Sequence, residues 1–246
     1  MKVAIIQARC SSTRLPNKIF ADLSGKPLIW HVIDRLTFCR KIDKIVLATT
    51  THRSDDKLVE WASREHIACF RGSEDNVLNR YYAAAKSLSL KQEDILIRIT
   101  ADDPFKEPTL IDRTIEPVEN GKTQFAYNNN PPSFPEGLDC EVFTMAALKL
   151  SEIYSKDPYE REHVTQYMYR HPEIFKGLNI SNEHDLSYLR LTMDTEEDYE
   201  MAKIIYAHLY KENQLFTLTD ILSLLQKHPE IAQINASVKR SDMYKK

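Results

Sequence analysis

Short apolar runs alternate with helical patterns along the first hundred residues. The runs predict four strands, at residues 3–6, 44–48, 67–70 and 94–99. Apolar residues that recur every three or four positions predict a helix in each interval, beginning at Pro27, near a capping Ser54 and at Val77. Apolar strands that alternate with helices are typical of a parallel sheet covered on both faces. Ligands of such sheets bind beyond the carboxyl ends of the strands, which makes residues 8–18 and 100–104 the candidate site.

The second half of the chain has a less regular pattern. Residues 128–139 are rich in turn formers and predict a loop. Further helices are predicted at 144–154, 158–170, 196–210 and 218–227, and strands at 174–180 and 187–193. We expect one domain over residues 1–235, with an excursion at about 128–190 for substrate or subunit contact and a frayed tail at 236–246.

Composition narrows the class of protein. The 246 residues include 33 Lys and Arg against 36 Asp and Glu, a net charge of −3, which argues against bulk nucleic-acid binding. No apolar run approaches the roughly 20 residues that span a bilayer. Polar residues interrupt the apolar start at Gln7 and Arg9, so there is no signal-peptide core. We therefore expect a cytoplasmic protein with neither membrane nor nucleic-acid partners.

The four cysteines are scattered along the chain, with no CxxC pair and no histidine at metal-ligand spacing. This distribution predicts reduced thiols rather than a disulfide scaffold or a zinc site. Cys10 lies in the first polar loop, but that loop has no histidine to activate a thiol, which argues against a catalytic cysteine.

The loop after the first strand is cationic and rich in hydroxyl groups. Its three cations are Arg9, Arg14 and Lys18. Its three consecutive hydroxyl residues are Ser11, Ser12 and Thr13. Arginine forks and a lysine point charge neutralise a polyphosphate, and a tight turn adds backbone N–H donors. The loop has no GxxxxGK[ST] motif, and the chain has only 5 glycines, so it is not a Walker loop. A solvated basic loop is the alternative interpretation.

Two places in the chain offer carboxylates for a metal ion. Asp102 and Asp103 follow the fourth strand, where side chains alternate in direction, so only one of them is expected to face the site. Asp194 ends a strand-like run before a predicted helix. A carboxylate beside a triphosphate needs a divalent cation between them, and Mg²⁺ takes one or two carboxylates plus phosphate oxygens. The alternative is that Asp194 or Thr195 only caps the following helix.

Six segments together resemble the cytidylyltransferase family, which includes the CMP-KDO and CMP-acylneuraminate synthetases. The segments occur in family order, at residues 6–28, 70–82, 100–104, 135–143, 160–165 and 190–198. The resemblance is greatest to the branch of spore coat polysaccharide biosynthesis protein F. The chain has Asn17 where the family often has Gly, and Asn tolerates the left-handed conformation of such a turn.

The resemblance implies an α/β, Rossmann-like nucleotide-diphospho-sugar transferase fold, with a mixed, mostly parallel sheet and helices on both faces. It also implies transfer of CMP from CTP to an acidic sugar, with Mg²⁺ as cofactor and pyrophosphate as the other product. The implied catalytic residues are Arg9, Lys18, Asp102 and Asp194, of which Asp102 and Asp194 bind the metal. The implied nucleotide-binding residues are Ala8, Arg9, Ser11, Ser12, Thr13, Arg14, Lys18, Arg71, Thr100 and Ala101.

The acceptor site and the assembly are implied less directly. Polar residues in the family-like segments of the second half are the substrate-binding candidates: Asn128, Asn129, Asp139, Glu141, Arg161 and His163. Alternatively, His163 is structural and Arg161 pairs with Asp157. Base preference is expected to rest largely on backbone contacts. Family members are commonly dimers, so a homodimer through residues 128–190 is expected.

Three other functions stay open on the sequence. A glycosyltransferase on the same fold would bind a nucleotide-sugar and carry a DxD motif, but Asp102-Asp103-Pro104 is not one. A binding protein that has lost turnover is disfavoured because Lys18, Asp102 and Asp194 are all present. A nucleotidyltransferase that uses GTP or UTP fits the same motifs.

Overall fold

A computed structural model describes residues 1–11 and 14–240 of the chain. Its strands are β1 (Lys2–Gln7), β2 (Asp22–Leu23), β3 (Lys26–Pro27), β4 (Lys44–Thr50), β5 (Ala68–Gly72), β6 (Ile95–Thr100), β7 (Phe125–Tyr127), β8 (Glu141–Thr144) and β9 (Leu178–Asn179). Its α-helices are α1 (Leu28–Thr37), α2 (Asp56–Arg64), α3 (Val77–Ser87), α4 (Pro108–Glu119), α5 (Met145–Tyr154), α6 (Pro158–Glu162), α7 (Gln166–Arg170), α8 (Glu196–Leu209), α9 (Leu218–Lys227) and α10 (Pro229–Gln233).

Seven of the strands form one mixed sheet in the order β5-β4-β1-β6-β8-β7-β9. Strands β5, β4, β1 and β6 are parallel, and β8 runs antiparallel to both of its neighbours. Strand β4 pairs with one edge of β1, and β6, which comes later in the chain, pairs with the other edge. The carboxyl ends of β1 and β6 therefore meet at the switch in strand order, where open α/β sheets bind ligands.

Helices cover both faces of the sheet because the side chains of β1 alternate in direction. Ala4 and Ile6 pack in the core beneath α1, α2, α4, α8 and α9. Val3 and Ile5 pack on the opposite face with α3, α5 and α7. All four of these side chains are fully buried. The predicted mostly parallel sheet with helices on both faces is confirmed.

The first hundred residues fold largely as predicted, with one correction at a helix start. Ser54 does not cap α2; it lies in a preceding 3-10 turn, Arg53–Asp55, and its backbone N–H is capped by the side chain of His52. Asn17 has a φ of 58°, so it takes the left-handed conformation that Gly would supply, as expected.

The second half departs from the prediction in several places. The predicted helix at 158–170 is two short helices, α6 and α7, with Val164 between them at a φ of 43°. Of the segment 174–180 only β9 is a strand, and 187–193 holds no strand but one isolated bridge, from Arg190 to Glu136. Of the predicted tail at 236–246, residues 241–246 lie outside the described residues, and the described part makes contacts with the rest of the chain. There the Arg240 guanidinium donates to Glu136 and to the carbonyl of Leu189.

Candidate active site

A cleft of about 510 Å³ opens at the carboxyl ends of β1 and β6. The loop after β1 contributes one wall, and the segment after β6 contributes the floor. The predicted site residues that line this cleft are Ala8, Arg9, Ser11, Arg14, Lys18, Thr100, Ala101, Asp102, His163 and Asp194. The fold thus brings together residues that lie more than 180 positions apart in the sequence.

Lys18 is the central cation of the cleft. Its ammonium donates to Asp102 Oδ2 at 2.9 Å and to Asp194 Oδ1 at 2.6 Å. The Arg14 guanidinium lies 3.1 Å from the second oxygen of Asp194. Asp102 and Asp194 therefore converge on one point, as the family resemblance implies for a shared metal.

The charges at this point stabilise one another. Burial works against ionisation of Asp102, but the Lys18 ammonium outweighs it and lowers the pKa of Asp102 to about 2. Burial also works against the charged form of Lys18, and here Asp102 and Asp194 prevail and raise its pKa. Asp102 and Lys18 are consequently charged at neutral pH.

Asp103 faces away from the cleft, as side-chain alternation predicted for one of the two aspartates. It accepts a hydrogen bond from Lys106 Nζ at 2.7 Å, and both side chains are almost fully buried. Thr100 donates to the same carboxylate oxygen. Burial raises the pKa of Asp103 to about 6 in spite of the Lys106 charge. This pair braces the turn that presents Asp102.

Asp194 is held by a buried network that the sequence did not reveal. Arg190 donates to Asp198 through Nε at 2.8 Å and to Glu136 through Nη1 at 2.8 Å. Asp198 in turn accepts from the backbone N–H of Asp194 at 3.0 Å. Thr195, not Asp194, is the N-cap of α8, in a capping box with Asp198. The carboxylate of Asp194 accepts a longer contact from Arg190 Nη2, at 3.4 Å, and faces Lys18 in the cleft.

The cationic loop is fastened to the sheet by Asp55. This buried carboxylate accepts from the backbone N–H of Cys10 at 2.7 Å and from the hydroxyls of Thr49 and Thr50. Burial and the nearby Asp55 raise the pKa of the Cys10 thiol to about 12. A thiol that stays protonated at neutral pH is a poor nucleophile, which agrees with the expectation of no catalytic cysteine.

The remaining loop residues have different surroundings. Arg9 is more than half exposed and lies 4.0 Å from Glu74. Ser11 is exposed at the cleft. Ser12 and Thr13, predicted to bind nucleotide, lie outside the described residues.

Arg71 is placed outside the cleft lining. Its guanidinium donates to the carbonyls of Thr50 and His52 and pairs with Asp56 at 2.7 Å. These contacts join the end of β5 to the loop after β4. Contact of Arg71 with a base therefore stays a prediction.

Most of the predicted acceptor residues support the cleft instead of lining it. The Asn128 side chain bonds the backbone at Leu138 and Cys140. Asn129 accepts from Tyr169, and Glu141 pairs with Arg98. These buried side chains already have partners. Their contact with substrate stays a prediction that this geometry does not favour.

Arg161 and His163 complete the set of acceptor candidates, together with Asp139. Arg161 pairs with Glu152 at 2.7 Å and donates to two carbonyls, so the alternative of a pair with Asp157 does not form. Asp139 is half-buried, and its carbonyl accepts from Lys106. His163 alone of the six lines the cleft, where burial lowers its pKa.

The cleft also contains residues that sequence reasoning did not single out. Gln7, Glu74, Asp75, Arg80 and Glu162 all line it. Gln7 ends β1, and Arg80 follows a polar loop by four positions, so their places at strand and helix ends were the available signals.

All four cysteines are free. Within residues 1–11 and 14–240, no helix has the length and apolar character to cross a membrane.

Comparison with known proteins agrees with this geometry. The family model for cytidylyltransferases matches residues 3–241. Spore coat polysaccharide biosynthesis protein SpsF of Bacillus subtilis is 31% identical over 93% of this chain and 95% of its own. A solved cytidylyltransferase from Leptospira borgpetersenii is 33% identical, with a TM-score of 0.88 over 97% of this chain and 99% of that one.

A solved structure of lower sequence identity has the same fold. The synthetase of CMP-2-keto-3-deoxy-manno-octonic acid, solved with CTP, has a TM-score of 0.61 at 16% identity, over 84% of this chain and 98% of that one. This likeness confirms the nucleotide-diphospho-sugar transferase fold. With the family model matched along nearly the whole chain, the protein belongs to the cytidylyltransferase family and is a nucleotidyltransferase, related to the spore coat polysaccharide branch.

Proposed function

We propose that this enzyme transfers CMP from CTP to a sugar acid or a related phosphorylated acceptor, with Mg²⁺, and releases pyrophosphate. The observation that carries the proposal is the convergence of Asp102 and Asp194 on the Lys18 ammonium, beside a cationic loop in an open cleft. The similar synthetase solved with CTP supports CTP as the donor. The relation to a spore coat polysaccharide protein supports a role in surface glycan synthesis.

The two carboxylates suit Mg²⁺. Within the described parts of the chain, no three His, Cys, Asp or Glu side chains cluster into a ready-made metal cage. Mg²⁺ does not need such a cage, because it keeps waters and binds through one or two carboxylates plus substrate phosphates. Asp102 and Asp194 would hold it, and it would neutralise charge between these carboxylates and the triphosphate.

The remaining chemistry depends on the charged residues of the cleft. An oxygen of the acceptor attacks the α-phosphorus of CTP, the bond to the β-phosphate breaks, and pyrophosphate carries away the electron pair. Lys18, Arg9 and Arg14 face the space where phosphoryl oxygens would lie, and they would stabilise the charge that develops there. Positioning and electrostatics supply most of the catalysis in reactions of this type.

The assembly is part of the same proposal. We propose a homodimer through the excursion at 128–190. Of the large hydrophobic side chains that are exposed in the described residues, five fall in this segment, which are Ile153, Tyr154, Tyr159, Ile174 and Tyr188. Exposed apolar side chains concentrated in one region are typical of a subunit contact.

Pyrophosphate release tests the reaction. The purified enzyme is supplied with CTP, Mg²⁺ and a panel of sugar acids and sugar phosphates, and UTP and GTP replace CTP in parallel reactions. We expect release with CTP and at least one acceptor. We also expect Asp194→Asn to abolish it, whereas Glu196→Gln, which alters an exposed acid two positions away, retains it. Pyrophosphate release by Asp194→Asn at the wild-type rate would contradict the metal assignment. Faster release with UTP or GTP than with CTP would show that the donor is not CTP.

A further inference from the structure

Arg80 is a buried cation that has no carboxylate partner among the described residues. It lies in α3, is only 1% exposed and lines the cleft. Its Nη1 donates to the carbonyl of Ser73 at 2.6 Å, but its Nε is buried with no hydrogen-bond partner. Among the described residues no carboxylate lies within 4.0 Å of it, and burial lowers its pKa. Buried donors are nearly always satisfied, so a bound ligand is the natural partner.

Three other arginines with little exposed side chain have carboxylate or carbonyl partners within the protein. Arg190 is paired with Glu136 and Asp198, and Arg98 with Glu141. Arg35 donates to the carbonyls of Lys106 and Phe216. The Nε of Arg98 also has no partner among the described residues, but Arg98 does not line the cleft. Of these four arginines, Arg80 is the one that both lines the cleft and has a donor left over.

The position of Arg80 is fixed by its neighbours. A Cβ at Gly72 would lie 2.9 Å from Arg80 Cγ, so the arginine stem packs directly on this glycine. The next residue, Tyr81, donates to the carbonyls of Ile5 and Ile99 at 3.1 and 3.3 Å. These bonds hold α3 over β1 and β6, the two strands that end at the cleft.

In the part of the chain that the structure describes, Gln7 Oε1 lacks a hydrogen-bond donor, whereas Arg80 Nε lacks an acceptor. Gln7 is the last residue of β1 and lines the same cleft, and its buried Oε1 accepts no hydrogen bond from any described residue. A ligand that satisfies both residues must accept from Arg80 and donate to Gln7. The nearby carboxylates of Glu74 and Asp75 also line the cleft and would repel an anionic group. A neutral ring with an amine beside an acceptor atom fits this part of the cleft best.

We propose that Gln7 and Arg80 recognise the edge of the cytosine ring, an assignment that rests on the proposed function. Cytosine offers its exocyclic amine as a donor and its N3 and O2 as acceptors. The amine would donate to Gln7 Oε1, and Arg80 Nε would donate to N3, the acceptor next to the amine and the one that uracil lacks. Uracil has a carbonyl in place of the amine and an N3–H in place of the acceptor, so it would leave both protein groups unsatisfied. The side chains of these two residues thus select the base.

Calorimetric titration tests this with three probes: CTP, UTP and inorganic tripolyphosphate, each with Mg²⁺. The variants are Gln7→Ala and Arg80→Lys, which keeps the charge but loses the Nε donor. We expect each variant to lower the ratio of CTP to UTP affinity by about 10-fold or more, because a site built to bond a polar group discriminates strongly against analogues that lack it. Tripolyphosphate affinity should be unchanged.

Controls separate this inference from the proposed function and from misfolding. Arg35→Lys changes a buried arginine outside the cleft lining and should keep the wild-type ratio. Should Arg80→Lys fail to fold by circular dichroism, Gln7→Ala and Gly72→Ala, which displaces the Arg80 stem, decide the question. An unchanged ratio, or an equal loss of tripolyphosphate binding, overturns the inference alone. Wild-type preference for UTP over CTP would instead contradict the proposed function.

Discussion

Single residues at the cleft divide into those that bear charge toward it and those that hold them in place. Strand alternation predicted that only one of Asp102 and Asp103 faces the site, and the family resemblance implied Asp102; the structure turns Asp102 to the cleft. The support of Asp194 by Arg190 and Asp198 could not be predicted, because nothing in the sequence shows which carboxylate a distant arginine meets. The partners of Asn128 and Glu141 could not be predicted for the same reason, and their contact with substrate stays a prediction.

Replacement of Lys18 should separate charge stabilisation from folding. The Lys18→Met variant loses the ammonium between Asp102 and Asp194, so we expect kcat to fall by about 10²–10³-fold, the usual cost of a lost charge-stabilising group. The measurement is steady-state pyrophosphate release, with circular dichroism as the check on folding. Lys203→Met, at an exposed lysine on α8, is the matched control and should keep full activity. A kcat within twofold of wild type for Lys18→Met would refute the role of this lysine.

Secondary-structure elements were predictable where the pattern of the chain is simple. The buried parallel strands and the helices between them matched because continuous apolar runs and three-to-four spacing are strong signals. Helix α4 and strands β7 and β8 were not predicted. Two prolines, Pro108 and Pro117, interrupt the α4 segment, although the first is favourable at a helix start. Strands β7 and β8 have only three and four residues, too few for a periodic signal.

The turn between β6 and α4 should depend on the Asp103–Lys106 pair. Asp103→Asn leaves the buried Lys106 ammonium without its carboxylate, so we expect about 3–5 kcal/mol less free energy of unfolding. Urea denaturation measures this loss. The double variant Asp103→Asn with Lys106→Met should lose less, because both charges are removed. Glu200→Gln, which breaks an exposed pair with Lys203, should change stability by no more than about 0.5 kcal/mol. An Asp103→Asn variant as stable as this control would contradict the bracing role.

The whole molecule combines a site at one sheet edge with apolar side chains exposed on the second half. The sequence predicted the sheet and the place of the cleft, because ligands of such sheets bind beyond the carboxyl ends of the strands. It did not predict the packing of 235–240, where Asn235 is buried and bonds Asp198. A polar segment near a chain end gives no periodic signal of such contacts.

Size-exclusion chromatography with light scattering tests the proposed homodimer. The wild-type chain should elute at twice its 28.6 kDa mass. The double variant Ile153→Glu with Tyr154→Glu should elute as a monomer, because it introduces charge into the exposed apolar segment. Phe38→Glu, at an exposed aromatic outside residues 128–190, should stay dimeric. A wild-type monomer at micromolar concentration would contradict the proposal.

The most direct test of the central claim is thermal unfolding with CTP, UTP, GTP or ATP, each with and without Mg²⁺. A ligand at 100 times its Kd adds about 2.7 kcal/mol to the stability of the folded state. We predict a stabilisation that is largest for CTP and depends on Mg²⁺, and that is lost in Asp194→Asn. Stabilisation by no triphosphate, or by ATP as much as by CTP, would contradict a metal-dependent cytidylyltransferase.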